Sequence, residues 1–573
     1  MCCDSTSPAL YDLIGLGFGP SNIAIAGAIV ERWSSPNTTQ QNDDLSFKSV
    51  LFLEKHTSFQ WHPGMLLPGA QMQISFMKDL ATLRSPQSPI TFLNYLHSQN
   101  RLPAFINRGS TTPSRKEFAD YLGWAAKYVE KQGVAVNYGQ QVIAVDEDSD
   151  GLILVTSRSV KDGREHVFKT RNLIISPGGS ARIPTIIAPL LKEPSVIDRS
   201  TVLHSSMYKT CRDKLFQSII SSSPSRPLRI AVIGGGQSAA EVAMNLRDCL
   251  SSIPAGNGPM GHQVDMIIRK GSLKPSDDTP FSNEVFDPET TETWFGTNQA
   301  ARDRFKAEYN STNYSVVNPR TIDQVRGFGK SIAIYGGINH FDQQLYEIIY
   351  DQKVDGAIAA RDLDTSTPSP IINILPNSSI VSISHNSNSS AFSFTILNTS
   401  TRELTENRKY DAIVCATGYA RTSWVDLLRQ SKGLGKRFGV ENSSTHPPVR
   451  LVPFAPRVSS DADVSEPALS PSSSQVSSGL HSPITPVTSP QPLTPVDGGD
   501  SGANSEVKVY ISRKYRLLPL SSAATSGKAS DEGLKARIYV QGMEESTHGL
   551  SDTLLSVVSV RAGEVVEDLF SED

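Results

Sequence analysis

Short apolar runs alternate with segments of helical spacing along most of this 573-residue chain. This alternation predicts repeated strand–helix units, and therefore an α/β fold built on parallel sheets. The first apolar run, residues 11–14, leads through a glycine-rich turn into a predicted helix. The second run, residues 49–53, follows a polar insertion at 34–44 and is followed directly by the acidic residue Glu54. The two runs have the order expected of a nucleotide-binding unit.

The turn after the first strand contains the residues of a dinucleotide site. Gly15 permits a tight turn, and Gly17 lets the backbone approach a pyrophosphate that the following helix N-terminus can bind. Pro20, directly after Gly19, stands in place of the usual third glycine and suits a first helical turn. Glu54 lies where ribose hydroxyls need an acceptor. A glycine turn of another kind of α/β domain is the alternative interpretation.

Two segments after the second strand, 59–65 and 72–80, are dense in aromatic, Met and amide side chains and lack regular spacing. They suit the wall of a flat, aromatic ligand, or equally a buried connection that uses Met and Trp as core filler. The remainder of the first unit is predicted to consist of helices at 92–96 and 115–131 and strands at 134–138, 142–145, 152–156 and 172–176.

A second copy of the opening pattern begins with the apolar run 228–233. It carries Gly234, Gly236 and Ala239 on a strand, turn and helix, which is the context that the dinucleotide motif requires. The next strand, 264–268, ends at Arg269 instead of an acid. Arginine suits a 2′-phosphate because its planar fork pairs with phosphate oxygens, so the second nucleotide is predicted to be NADPH. A surface arginine at a strand end is the alternative.

The second half of the chain adds an insertion and a polar tract. Residues 283–350 are polar with helical spacing and predict a small lobe, either for substrate selectivity or for a dimer contact. The Ser/Pro/Thr-rich tract 457–507 has few aromatics and is predicted to be disordered.

Two nucleotide units in one chain imply two dinucleotides, most simply a flavin that receives electrons from a nicotinamide. We therefore expect two Rossmann-like dinucleotide-binding domains, for FAD and NADPH, with an inserted helical substrate lobe. The predicted parts are 8–205, 405–456 and 508–573 for FAD, 206–282 and 351–404 for NADPH, 283–350 for the lobe and 457–507 for the tract.

Composition excludes several classes of function. A net charge of −4 with 20% charged residues provides no basic field, so nucleic acid is not an expected partner. No apolar run reaches the length of a membrane span, and no secretory signal is visible. The five cysteines form no Cys-x-x-Cys pair, so no metal site is expected, and their scattering favours a reducing, cytoplasmic location.

Taken together, these motifs resemble the flavin-dependent N-hydroxylating monooxygenases, and among them the fungal enzymes that act on ornithine. The resemblance covers nearly all of the chain outside the Ser/Pro tract. The stretches that carry it are 15–22, 59–65, 72–84, 234–241, 274–284, 312–317, 416–419 and 547–552.

The resemblance implies a reaction and its cofactors. NADPH is expected to reduce FAD, O2 to add to the reduced ring as a C4a-hydroperoxide, and the side-chain amine of L-ornithine to attack it, giving N5-hydroxy-L-ornithine for hydroxamate siderophore synthesis. The protein mainly supplies positioning and exclusion of water. The amine must be neutral to attack, so activity is expected to rise with pH, although no side chain is identified as its general base. A homotetramer is also implied.

The resemblance assigns roles to particular residues. The implied substrate-binding residues are Lys78, Asn283, Asn313 and Ser551. Lys78 is expected to bind the substrate carboxylate, and the alternative for it is a solvated lysine. The expected cofactor-binding residues are Gly15, Gly17, Gly19, Pro20, Glu54, Trp61, His62, Met72, Gln73, Gly234, Gly236, Gln237, Ser238, Arg269, Tyr314, Leu550 and Ser551.

Two other functions stay open at the level of sequence. Lysine N6-hydroxylation differs by one substrate methylene, which a hydrophobic pocket discriminates by only about 1–3 kcal/mol. A flavin NADPH oxidase or redox sensor, making peroxide without oxygenating a substrate, needs the same two nucleotide units.

Overall fold

The computed structural model describes residues 8–34, 47–222, 226–255, 261–276, 283–313, 316–317, 370–386, 391–441, 446–454, 506–520 and 534–571, with only the backbone at 310–313, 551 and 553. Tyr314, most of the predicted lobe beyond residue 313 and nearly all of the Ser/Pro tract lie outside the described residues.

The strands of the described chain are these: β1 (Leu10–Leu16), β2 (Val50–Glu54), β3 (Ala135–Tyr138), β4 (Gln140–Glu147), β5 (Ile153–Ser159), β6 (Glu165–Ile175), β7 (Ser180–Ala181), β8 (Val202–His204), β9 (Arg229–Ile233), β10 (Gln263–Ile267), β11 (Ile371–Leu375), β12 (Ser378–Asn386), β13 (Ala391–Asn398), β14 (Leu404–Tyr410), β15 (Ala412–Cys415), β16 (Tyr419–Ala420), β17 (Val449–Pro453), β18 (Val507–Ile511), β19 (Leu517–Leu518) and β20 (Arg537–Val540).

The α-helices are these: α1 (Pro20–Trp33), α2 (Phe92–Ser98), α3 (Leu102–Asn107), α4 (Arg115–Lys131), α5 (Pro194–Arg199), α6 (Tyr208–Ser222), α7 (Gln237–Ser251), α8 (Thr290–Gly296), α9 (Gln299–Asn313), α10 (Ser423–Arg429), α11 (Leu434–Arg437), α12 (Glu545–His548) and α13 (Val558–Leu569).

The first unit is a seven-stranded sheet of order β3-β2-β1-β6-β5-β4, with β20 also paired to β6. The strands β3, β2, β1, β6 and β20 run parallel, while β4, β5 and β6 form an antiparallel extension. Helix α13 packs on α1, and one core lies between the sheet and the helices α1, α2, α4 and α13. The predicted α/β class is confirmed.

The second unit is a five-stranded parallel sheet of order β11-β10-β9-β15-β8. Two predicted domain boundaries differ from this arrangement, because β8 and β15 had been assigned to the first unit. The apolar strand β15 pairs with β9, where every one of its side chains is buried. Strands β12, β13 and β14 form an antiparallel sheet packed beside the second unit. The second unit therefore includes residues 202–204 and 404–415.

Short elements join the two units. Strands β7 and β16 pair as a two-stranded ribbon, with Tyr419 opposite Ala181. A 3-10 turn at Pro63–Met65 contacts another at Ser205–Met207. An added Cβ at Gly64 would lie 2.0 Å from the Ser206 carbonyl oxygen, so only glycine permits this close approach.

Candidate functional site

The turn between β1 and α1 has the shape of a phosphate cradle. Gly17 has φ +82°, and a Cβ added there would lie 2.7 Å from the Ser176 carbonyl oxygen. Gly19 caps α1 without a side-chain hydrogen bond, and a Cβ added to it would meet nothing within 4 Å. The first turn of α1 therefore presents uncapped N–H groups to open space, which fits the pyrophosphate of FAD.

Two side chains hold this turn in place. Asn22 is fully buried and donates from Nδ2 to the carbonyl oxygens of Leu16 (3.2 Å) and Gly17 (2.7 Å). The Glu54 carboxylate accepts from the Phe18 N–H at 2.8 Å and from the His56 N–H at 2.9 Å. Glu54 therefore lies beside the turn at the end of β2, where the sequence had predicted a ribose acceptor, and it also supports the turn itself.

The second turn, between β9 and α7, repeats these features. Gly234 has φ +137°, and an added Cβ would lie 2.2 Å from the Ala416 carbonyl oxygen. Gly236 caps α7, again without a side-chain hydrogen bond. Ala416 follows β15, so the placement of β15 in this sheet makes the close contact possible. Gln237 and Ser238 form the first turn of α7, and the cradle fits a second dinucleotide.

The end of β10 carries the cation predicted to select a phosphorylated ribose. Arg269 is exposed and lies just beyond the strand. Partial burial, followed by the Lys274 charge, lowers the pKa of the neighbouring Lys270. The segment after β10 thus carries three cations, Arg269, Lys270 and Lys274, of which only Arg269 was predicted from the sequence to bind a phosphate.

The junction between the units brings several predicted residues together. His62 has φ +44°, and its ring lies 5.3 Å from Trp61 and 5.8 Å from Tyr419. The His204 ring also lies near Tyr419, at 5.2 Å between ring centres, and its Nε2 lies 3.0 Å from the Gly418 carbonyl oxygen. Burial raises the pKa of Tyr419, so its phenol stays neutral. Aromatic side chains from both units therefore line the junction.

A nearly buried ion pair crosses the same junction. Arg115 at the start of α4 pairs in a bidentate manner with Glu241 of α7, at 2.7 and 3.0 Å. Gln237 donates to the same carboxylate at 2.9 Å, and Arg115 also donates to the Met65 carbonyl oxygen at 3.0 Å. Nothing local in the sequence marks two residues that lie 126 positions apart as partners, so this pair could not be predicted.

Lys78 lies on the side of the molecule that faces the inserted lobe. Its Nζ is 5.8 Å from the centre of the Phe286 ring. Partial burial lowers the pKa of Lys78, while the nearby Asp287 carboxylate opposes that effect. The 3-10 turn Glu284–Phe286, which begins directly after Asn283, contacts the 3-10 turn Leu550–Thr553. The fold thus brings three of the four predicted substrate-binding positions to neighbouring turns.

The fourth substrate position and the remaining cofactor positions are placed less completely. Asn313 is the last residue of α9, and for it and Ser551 only the backbone is described. Met72 is half-buried against the first core, and its N–H donates to the Pro113 carbonyl oxygen at 2.9 Å. Gln73 is exposed and Leu550 is buried.

A cluster of buried ionisable side chains supports the Leu550–Thr553 turn. Glu544, Asp552 and Arg561 are each at most 3% exposed. Arg561 donates to the Asp552 carboxylate at 3.3 Å and to the Asp552 carbonyl oxygen, and to Ser21 Oγ at 2.9 Å. Burial lowers the pKa of the adjacent His548 to about 4, so the imidazole is neutral. Asp552 and His548 belong to the motif 547–552, but their roles were not predictable from the sequence.

The model of the family described as L-lysine 6-monooxygenase/L-ornithine 5-monooxygenase matches residues 9–327. The chain belongs to this family. An L-ornithine N(5)-monooxygenase of Omphalotus olearius is 58% identical over 99% of both chains, and one of Ceriporiopsis subvermispora is 46% identical over 98% of both. The family predicted from the sequence motifs is therefore confirmed.

Solved structures agree with this membership. The ornithine hydroxylase of Pseudomonas aeruginosa is 31% identical, with a TM-score of 0.66 over 98% of this chain and 99% of that one. An ornithine N-hydroxylase of Kutzneria sp. 744, solved with reduced FAD, NADP⁺ and L-ornithine, is 26% identical with a TM-score of 0.64 over 98% and 99% of the two chains. In the present chain, the described helices include no apolar stretch of the length that a membrane span needs.

Proposed function

We propose that this chain is an FAD- and NADPH-dependent monooxygenase that hydroxylates the side-chain amine of L-ornithine with O2, giving N5-hydroxy-L-ornithine. One observation carries the proposal. The fold contains two glycine-rich turns whose helices begin without a side-chain cap, together with a half-buried lysine, Lys78, beside the inserted lobe. The full-length similarity to fungal L-ornithine N(5)-monooxygenases supports the choice of ornithine.

Each of the two glycine-rich turns would bind one nucleotide. The turn at Gly17 and Gly19 would hold the FAD pyrophosphate, and the turn at Gly234 and Gly236 would hold that of NADPH, with Arg269 at its 2′-phosphate. When bound, the flavin supplies the redox and oxygen chemistry. The ion pair across the junction fixes the second cradle relative to the first unit.

The lobe side of the site selects and orients the amino acid. The Lys78 ammonium would bind the substrate carboxylate, and the nearby Asp287 favours its charged form. Asn283 and Asn313 offer amide donors and acceptors to the amino-acid head group. The Leu550–Thr553 turn, whose Leu550 side chain is 2% exposed, would close this side of the site and help to exclude water from the reacting amine.

One experiment separates ornithine hydroxylation from lysine hydroxylation and from a flavin oxidase or redox sensor. Purified protein loaded with FAD is incubated with NADPH and either L-ornithine or L-lysine, and the hydroxylamine product and peroxide are measured together. We expect N5-hydroxyornithine in near-stoichiometric ratio to the NADPH consumed. Equal or faster turnover of lysine would overturn the substrate choice. Peroxide equal to NADPH with both amines would favour an oxidase or sensor.

The biological setting is part of the same proposal. The product would enter hydroxamate siderophore synthesis, and the enzyme would act in the cytoplasm as a homotetramer. Cys211, Cys249 and Cys415 are free thiols, which agrees with a reducing compartment. Sedimentation of the FAD-loaded protein tests the assembly, and a single species at the monomer mass would contradict the tetramer.

A further inference from the structure

The segment 544–553 rests on two carboxyl groups buried side by side. The Glu544 N–H donates to Asp552 Oδ2 at 3.2 Å, and Glu544 Oε2 accepts from the Met543 N–H at 2.7 Å. Arg561 is the cation that contacts Asp552, through its side chain and its carbonyl oxygen. Two carboxylates beside one guanidinium would leave an uncompensated negative charge in the interior, which is strongly unfavourable.

The hydrogen bonds show where a proton resolves this imbalance. Glu544 Oε1 is buried, and no donor reaches it within the described chain. A proton on the Glu544 carboxyl group turns it into a donor, and the neighbouring Asp552 carboxylate, with which its side chain is hydrogen-bonded, is then the acceptor. Burial, followed by the charge of Asp552 and the hydrogen bond to it, raises the pKa of Glu544 well above its ordinary 4.5. Burial opposes ionisation of Asp552, but Arg561 and the Glu544 hydrogen bond lower its pKa.

This acid pair is connected to both functional sides of the molecule. Arg561 extends from α13 to Ser21 Oγ in the first turn of α1, which is the predicted FAD cradle. In the other direction, the Leu550–Thr553 turn contacts the turn that follows Asn283. Gly549, with φ +105°, lies against Trp294 of α8, since an added Cβ would be 3.5 Å from the indole Cγ.

We propose that Glu544 and Asp552 hold one shared proton and act, with Arg561, as positioning residues that set the Leu550–Thr553 turn against the substrate lobe. The inference deepens the proposed function and rests on it for the substrate involved. The neutral acid keeps the turn attached to the interior while the Arg561–Asp552 pair ties it to the first turn of α1. None of the three residues touches the reacting atoms.

The proton has a consequence for stability that does not depend on substrate. The groups that face the pair are Arg561, His548 and Tyr515; the last two are neutral, because burial lowers the pKa of His548 and raises that of Tyr515. Folded Glu544 keeps a proton that the unfolded chain releases near pH 4.5. Stability from this group is therefore complete below that pH and is lost as pH rises toward the raised folded pKa.

The experiment compares Glu544→Gln with Glu544→Ala in the full-length, FAD-loaded protein. Glutamine keeps a neutral donor toward Asp552, whereas alanine leaves that carboxylate without it. We expect Glu544→Gln to stay within about twofold of wild type in ornithine KM and in product formed per NADPH. Glu544→Ala should raise ornithine KM at least about tenfold, with flavin reduction by NADPH unchanged within about twofold. Glu567→Gln, on the exposed side of α13, is the control and should match wild type.

Melting temperatures from pH 4.5 to neutrality test the proton separately from the reaction. The difference between Glu544→Gln and wild type should grow in favour of glutamine as pH rises, since only wild type loses stability by this route. A constant difference across this range would overturn the shared proton. If both variants raised ornithine KM equally, or if both slowed flavin reduction, the positioning role would be wrong. A wild-type protein that hydroxylates no amine would refute the proposed function, while the melting series would still decide the protonation.

Discussion

The ion pair between Arg115 and Glu241 offers the sharpest test of how the two units are held together. Replacing Glu241 by glutamine removes the charge but keeps the shape of the side chain. In the native protein the two carboxylate oxygens of Glu241 accept hydrogen bonds from two N–H groups of Arg115, at 2.7 and 3.0 Å. One of these oxygens also accepts a hydrogen bond from the Gln237 side chain at 2.9 Å. Glutamine can accept only through one oxygen, so one bond of the fork is lost.

The magnitude follows from the burial of the pair. The side chains are 15% and 8% exposed, so water screens the interaction poorly. Removing one partner of a fully buried pair costs about 3–5 kcal/mol, because the other charge stays behind without compensation. The Met65 carbonyl oxygen still accepts from Arg115, and the introduced glutamine would keep one bond to the guanidinium. We therefore expect Glu241→Gln to lower the free energy of unfolding by about 2–3 kcal/mol.

Urea unfolding of the FAD-loaded protein measures this change, and anaerobic flavin reduction by NADPH measures its effect on the junction. Reduction should slow by about tenfold, because the Gln237 turn loses part of its support. The matched control is Glu165→Gln, which removes the charge from the exposed Arg158–Glu165 pair, with side chains 53% and 50% exposed, and should cost about 0–1 kcal/mol. Equal losses in the two variants would refute the reasoning.

Four further substitutions test individual positions of the two cradles and the lobe. Gly17→Ala should lower the free energy of unfolding in urea by at least about 1–2 kcal/mol, because Gly17 has a left-handed backbone and an added Cβ would contact Ser176. Gly19→Ala should change the free energy of unfolding by under about 1 kcal/mol, yet it should weaken FAD binding at least about tenfold in titrations of the apoprotein. Unchanged FAD affinity in Gly19→Ala would contradict the pyrophosphate site at this turn. Arg269→Ala should raise the KM for NADPH at least about tenfold and leave that for NADH nearly unchanged, whereas equal effects on both would exclude the phosphate contact. Lys78→Ala should raise the apparent ornithine KM about tenfold or more, with normal flavin reduction at saturating NADPH; slow reduction there would argue against a role in substrate binding.

Local sequence was sufficient to predict the nucleotide turns and most regular elements. Among the glycines between each apolar strand and its helix, Gly17 and Gly234 take positive φ. Gly15, which was predicted to permit the tight turn, instead lies within β1, where an added Cβ would be 2.3 Å from the Phe52 ring. Helix α4 begins and ends at the predicted residues because Ser114 caps it and its apolar positions repeat with helical spacing. These features depend on neighbours a few residues away.

The tertiary structure decided which distant residues meet. Strand β15 is apolar along its whole length and could join either sheet; only its pairing with β9 places Ala416 against Gly234. Arg115 and Glu241 become partners because the units dock, and Arg561 reaches Asp552 from α13, which packs on α1. A buried charge is tolerated only when the whole fold supplies its partner, so neither pattern nor spacing could predict these contacts.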